Sequence, residues 1–192
     1  MNKNFNMNKL SKMILKFFSW KVNTNIPSVN KYILVAAPHT TNWDFPLMIL
    51  TSQILNIKIF WMGIKSLFFW PLKNVMLKLG GIPIDRSKQN SLVGQLSERI
   101  HNSDKFVLVI PPEGTRSRTK HWKSGFIHIA KSAKIPIILC YLDYKTKETG
   151  FSVPIDSKQD PAKIMEIAKK FYKDVTPLYP KNFGPISLKK EE

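Results

Sequence analysis

The alternation of apolar runs with amphipathic stretches predicts an α/β domain, a single largely parallel sheet covered by helices on both faces and preceded by an amphipathic helix. Three observations carry that reading. Residues 31–37, 105–110 and 135–142 are nearly continuous apolar runs, as expected of strands buried on both faces. Helix-like stretches stand between such runs almost throughout. Finally, 192 residues with 43% apolar content describe one globular domain able to bury a core, and 13 prolines spread along the chain do not suit a disordered basic tail.

The elements follow in order. Leu10, Met13, Ile14, Phe17 and Phe18 step by three and four, with Lys9, Lys12, Lys16 and Lys21 beside them. Such a helix either lies in a lipid interface or docks on its own domain. Residues 31–37 form a buried strand ending at Pro38. Residues 45–55 form a helix, with Pro46 tolerated in the first turn and Asn42 or Asp44 available as its cap. A strand at 58–62 and a helix at 66–79, closed by Gly80 and Gly81, come next. Strand 82–85, helix 91–101, strand 105–110, helix 122–133, strand 135–142 and helix 161–172 complete the alternation. Ligands of such folds bind where loops converge at the carboxyl ends of the strands.

Thirty Lys and Arg against 13 Asp and Glu give a formal charge of +17. The excess is uneven, since residues 1–84 hold ten lysines and a single acid, Asp44. This points to an anionic partner, namely nucleic acid, phospholipid or a phosphorylated substrate; a general lean toward Lys is the plainer alternative. Residues 59–72 add five aromatic residues in fourteen positions, which suits an apolar ligand or the headgroup zone of a membrane. Nucleic acid is disfavoured, because no zinc-finger spacing or RNP-type strand is present and only four residues are Arg. The single cysteine, Cys140, excludes an intrachain disulfide and reads as a small buried hydrophobe. The most apolar stretch, 57–72, is broken by Lys58, Lys65 and Pro71, short of a membrane span, and no secretory signal is evident. The expected location is the cytoplasm, free or against a membrane.

Three strand-end loops concentrate chemistry. In the first, His39 and Asp44 are five positions apart, which on a continuous helix would separate them by about 140°. With His39 in the loop and Asp44 in the first helical turn, the chain can fold back and bring carboxylate to imidazole. An Asp on Nδ1–H would fix the tautomer and leave Nε2 as a base; otherwise Asp44 merely caps the helix. The second loop delivers Arg86, and the third, Pro112-Glu-Gly-Thr-Arg-Ser117, delivers Arg116. Two guanidiniums from separate strand ends can grip a phosphate; alternatively each pairs with a local acid, Asp85 or Glu113. The Gly-x-Ser-x-Gly, Gly-x-Gly-x-x-Gly and Gly-x4-Gly-Lys-Ser/Thr motifs are absent. His121 and His128 lack a carboxylate at metal-ligand spacing, so no metal is expected.

The ordered set His39-x4-Asp44, Gly81-x4-Arg86, Glu113-Gly-Thr-Arg-Ser117 and Ile135-Pro-Ile-Ile138 resembles the four blocks of the glycerolipid acyltransferases, and most of all the lysophosphatidate (1-acyl-glycerol-3-phosphate) acyltransferases. The resemblance spans roughly residues 33–142, and its specificity lies in Glu-Gly-Thr-Arg-Ser following His-x4-Asp by about seventy residues. It implies a glycerol-3-phosphate acyltransferase-like fold, with an amphipathic helix region at 1–30 suited to membrane association, an acyltransferase domain at 31–176 and an irregular extension at 177–192. His39 would be the general base and Asp44 its orienting partner. Arg86 and Arg116 would bind the acceptor's phosphate. Glu113, Gly114 and Thr115 would shape the acceptor site, Pro136 would stand beside the acyl pocket, and Lys123 and Gly125 would contribute. Acyl-CoA or acyl carrier protein would serve as co-substrate donor, with no cofactor, a lysophospholipid as acceptor and an anionic inner membrane face as the working surface. Pro111 and Pro38 depart from the usual Phe and Asn of the family's blocks, which bears on the acceptor more than on the chemistry. Two rivals are the same transfer to another hydroxylated lipid, and a non-enzymatic basic module binding lipid or nucleic acid.

Overall fold

The computed structural model describes residues 3–84 and 89–189. Alternate residues of the first apolar run face opposite ways, and both sides are covered. In β1 (Lys31–Ala36), Ile33 and Val35 enter one core while Tyr32 and Leu34 enter another. The strands β2 (Ile59–Ile64), β3 (Gly81–Ile84), β4 (Phe106–Ile110), β5 (Ile137–Asp143) and β6 (Glu148–Phe151) complete a six-stranded sheet in the order β3-β2-β4-β1-β5-β6. All pairings are parallel except β5 with β6, whose antiparallel hairpin lay outside the sequence reading.

Helix α2 (Asp44–Ile54) sets Met48 and Ile49 on the Tyr32–Leu34 face. Helices α4 (Gln89–His101), α5 (Gly125–Ala133) and α6 (Pro161–Tyr172) cover the other, with Ile100, Phe126 and Ile164 in its core. Asp160 caps α6, accepting from Ala162 N at 2.7 Å ahead of Pro161 at the first helical position.

Two expected helices differ. The span 66–79 is not continuous: a single 3₁₀ turn, Lys65–Leu67, is followed by an irregular stretch, and α3 begins only at Lys73 (Lys73–Lys78). Pro71 is the reason, since an interior proline costs a helix about 3 kcal/mol and pushes its predecessor out of helical geometry. Gly80, at φ 85°, then turns the chain into β3, where a side chain would collide with the Ile59 carbonyl. The helix expected at 122–133 starts three residues later, because Trp122 is bridged to Leu188 of the chain's end. Phe183, Ile186 and Leu188 of that end pack against the core. Cys140 is only partly covered, although burial still pushes its thiol up to about 12.

Helix α1 (Lys3–Phe17) docks on α2, but not through its apolar stripe. Ser11 and Leu15 are buried, and Asn8 and Ser11 reach Ile54 and Gln53. Leu10, Met13 and Phe17 face outward, Phe17 at 83% exposure. Among the described residues no helix is long and apolar enough to cross a membrane.

Candidate active site

The parallel pairing of β1 with β4 matches Val35 to Ile110, so the chains leaving their carboxyl ends run side by side. The His39 N–H donates to Glu113 Oε1 at 3.1 Å and ties one loop to the other. Asp44 opens α2, and the intervening turn folds back as the spacing required. His39 Nδ1 lies 2.9 Å from Asp44 Oδ2. A carboxylate only accepts, so Nδ1 carries the proton and Nε2 is left as the basic nitrogen. Oδ2 also accepts from the backbone N–H groups of Thr40 and Thr41, at 3.1 and 3.2 Å. The capping role allowed for Asn42 or Asp44 is not taken up. Trp43 occupies the cap position without a side-chain bond, and the Asp44 carboxylate serves the loop behind it.

Asp44 is buried and His39 half-buried, the latter at the wall of an open cleft of about 2020 Å³. Phe45, Met48, Leu67 and Met76 give this cleft apolar walls, while Thr115, Arg116 and Lys123 line it as polar groups. Glu113, one local candidate for an ion pair with Arg116, is instead 3% exposed and bonded to His39. Its Oε2 is sealed away without a partner. Burial pushes this carboxyl from 4.5 up to about 7, outweighing the N–H bonds from its own backbone and from His39. Gly114 follows at φ 67°, and an added Cβ would come within 2.9 Å of Lys123 Cε. Lys123 therefore lies over this glycine, held there by its own N–H to Pro112 O at 2.8 Å.

The structure thus gathers His39, Asp44, Glu113, Gly114, Thr115, Arg116 and Lys123, with Gly125 at the start of α5 also on the cleft. Pro136 does not join them. Its carbonyl accepts from Ile33 N at the amino end of β5, at the opposite end of the sheet from His39. Arg86 lies outside the described residues. Sequence reasoning missed Tyr144, whose hydroxyl donates to Asp44 Oδ1 at 2.6 Å. The available signal was its place immediately after β5, at the same end of the sheet as the other loops. Among the described residues no group of three or more His, Cys, Asp or Glu could hold a metal ion.

A family model described as Acyltransferase matches residues 20–143. The chain belongs to the acyltransferase family. The chain is 35% identical over 82 residues to the 1-acyl-sn-glycerol-3-phosphate acyltransferase of Saccharomyces cerevisiae, covering 38% of the chain and 27% of the relative. To the enzyme of the same name from Cocos nucifera it is 35% identical over 80 residues, covering 38% and 26%. The matched part thus spans about a quarter of the length of these curated relatives. The crystal structure of the 1-acyl-sn-glycerophosphate (LPA) acyltransferase PlsC from Thermotoga maritima superposes with a TM-score of 0.61, at 19% identity, over 89% of this chain and 78% of that one. At that identity the likeness speaks for the fold, and the mostly parallel, helix-covered sheet is shared.

Proposed function

We propose that this acyltransferase moves a fatty acyl group from an acyl-CoA or acyl carrier protein thioester to the free hydroxyl of a lysophospholipid such as 1-acyl-sn-glycerol-3-phosphate, giving phosphatidic acid. The observation that carries the reading is the 2.9 Å contact of His39 Nδ1 with Asp44 Oδ2 at the wall of an apolar cleft. The names of the two curated relatives support the acceptor class.

In this mechanism His39 Nε2 takes the acceptor's hydroxyl proton as the oxygen attacks the thioester carbonyl. The C–S bond breaks, the thiolate leaves, and the imidazolium returns the proton to sulfur. One ester forms and one thiol is released, with no cofactor. Asp44 stabilises the transient imidazolium. A thioester is already activated, so positioning supplies much of the rest, with apolar walls around the acyl chain and cationic groups at the phosphate. Arg116 and Lys123 line the cleft where such a phosphate would lie, and the resemblance adds Arg86.

The lipid acceptor explains the exposed apolar groups. Leaving Leu10, Met13, Phe17 and Trp70 in water forgoes about 1.5–3 kcal/mol for each side chain that could be fully buried. With Lys12 and Lys16 beside those on α1, these groups suit the anionic inner face of a membrane. Incubating the purified protein with acyl-CoA and lysophosphatidate, and following free thiol and lipid mass, tests the assignment. Thiol release together with phosphatidic acid is the expected result; release only with phosphate-free acceptors would replace the acceptor class.

A further inference from the structure

The two oxygens of Asp44 are engaged differently. Oδ2 receives His39 Nδ1 and two backbone N–H groups, whereas Oδ1 receives the Tyr144 hydroxyl at 2.6 Å, the length of a charge-assisted bond. Tyr144 comes from the turn after β5, 100 residues along the chain. That turn is firmly held. Tyr144 N donates to Thr176 O at 2.8 Å, and Lys145 N and Thr146 N both donate to Asp143 Oδ1. Trp20, just past α1, meets the Tyr144 ring edge-on with centroids 5.2 Å apart. Burial, and then the bond to Asp44, pushes the phenol further above its ordinary value, so it remains a donor wherever the pair would operate.

We propose that Tyr144, seated by Trp20, is a positioning residue: it holds the Asp44 carboxylate so that Oδ2 keeps the His39 proton on Nδ1 and Nε2 stays free to accept one. An imidazole whose Nδ1 lacks a steady acceptor shares its proton between both nitrogens, and molecules carrying it on Nε2 cannot take another there. The segment leaving the exposed helix α1 thereby reaches the reacting pair through three contacts, Trp20 to Tyr144, Tyr144 to Asp44 and Asp44 to His39.

Tyr144→Phe removes one oxygen and keeps the ring. Imidazole nitrogen shifts of ¹⁵N-histidine protein should report Nδ1–H for His39 in the parent and a measurable Nε2–H fraction in the variant. Trp20→Leu should move the shifts the same way by less. The kinetic arm rests on the acyl-transfer reading: with acyl-CoA and lysophosphatidate, Tyr144→Phe should lower kcat about tenfold with KM little changed. In an Asp44→Asn background the same substitution should cost no more than about twofold. An unchanged tautomer in Tyr144→Phe, or an equal kinetic loss in both backgrounds, overturns the proposal. If the parent releases no thiol with any acceptor, the acyl-transfer reading fails, and the nitrogen shifts still decide the role of Tyr144.

Discussion

The turn after β1 and the connection after β2 both leave carboxyl ends of the same sheet, yet they meet their surroundings in opposite ways. After β1, the N–H groups of Ala37, His39, Thr40, Thr41 and Trp43 all find acceptors, and Thr40 Oγ1 accepts from Tyr179 N in the chain's last stretch. After β2, short-range backbone bonds such as Phe68 N to Lys65 O and Lys73 N to Phe69 O hold the chain. There Phe69 is 55% and Trp70 88% exposed. Proton transfer needs one geometry, which a saturated hydrogen-bond network imposes. Contact with a fluid lipid surface needs apolar area and tolerates loose geometry.

Substitutions can break that contrast. His39→Ala should reduce turnover about 10²–10⁴-fold or more while vesicle binding and thermal stability stay near parental values; retained turnover would remove the base assignment. Glu113 gives the next largest effect. In the folded chain it holds its proton up to about pH 7, whereas an unperturbed carboxyl releases it near 4.5. Between those values the folded state binds the extra proton, so stability falls as pH rises across the window. Glu113→Gln should abolish this decline, a difference of roughly 3 kcal/mol between its ends, measured by urea denaturation. Identical slopes in parent and variant would mean that the carboxyl is not desolvated.

On the other side of the comparison, Phe69→Ser combined with Trp70→Ser should weaken binding to phosphatidylglycerol vesicles about thirtyfold, measured by co-sedimentation, with little change in turnover of a water-soluble short-chain acceptor. Equal loss of both would show that the segment shapes the catalytic cleft instead. The smallest effect is assigned to Arg116→Ala, which should raise KM for phosphate-bearing acceptors about tenfold and spare phosphate-free ones. A uniform loss across acceptors would dissociate Arg116 from phosphate.

What the sequence revealed divides along the same line. The β1, β4 and β5 runs were legible because two-sided burial leaves continuous apolar strings, and the His39–Asp44 approach was legible because a loop followed by a first helical turn permits only a short return path. The 66–79 helix was misread because apolar periodicity ran through Pro71, where backbone chemistry overrides it. Of the two roles the sequence left open to Asp44, the helix cap is not taken, because His39 and two backbone N–H groups upstream occupy the same oxygen. For Tyr144 the sequence offered only its place straight after β5; its bond to Asp44 depends on how β5 and β1 are placed side by side, which no local pattern encodes. Nor did the stripe on α1 reveal which face would dock. Leu15 and Ser11 turned inward, and the larger apolar groups were left facing out.

The strand that delivers His39 has parallel neighbours on both sides, β4 and β5, and lies away from either edge of the sheet. Amides in such a place exchange with solvent only through the rarest, most global openings. Warming should therefore leave the imidazole's footing intact until the whole domain melts, while the margins near β3 and β6 fray first. Heat inactivation and cooperative unfolding would then coincide in a single transition.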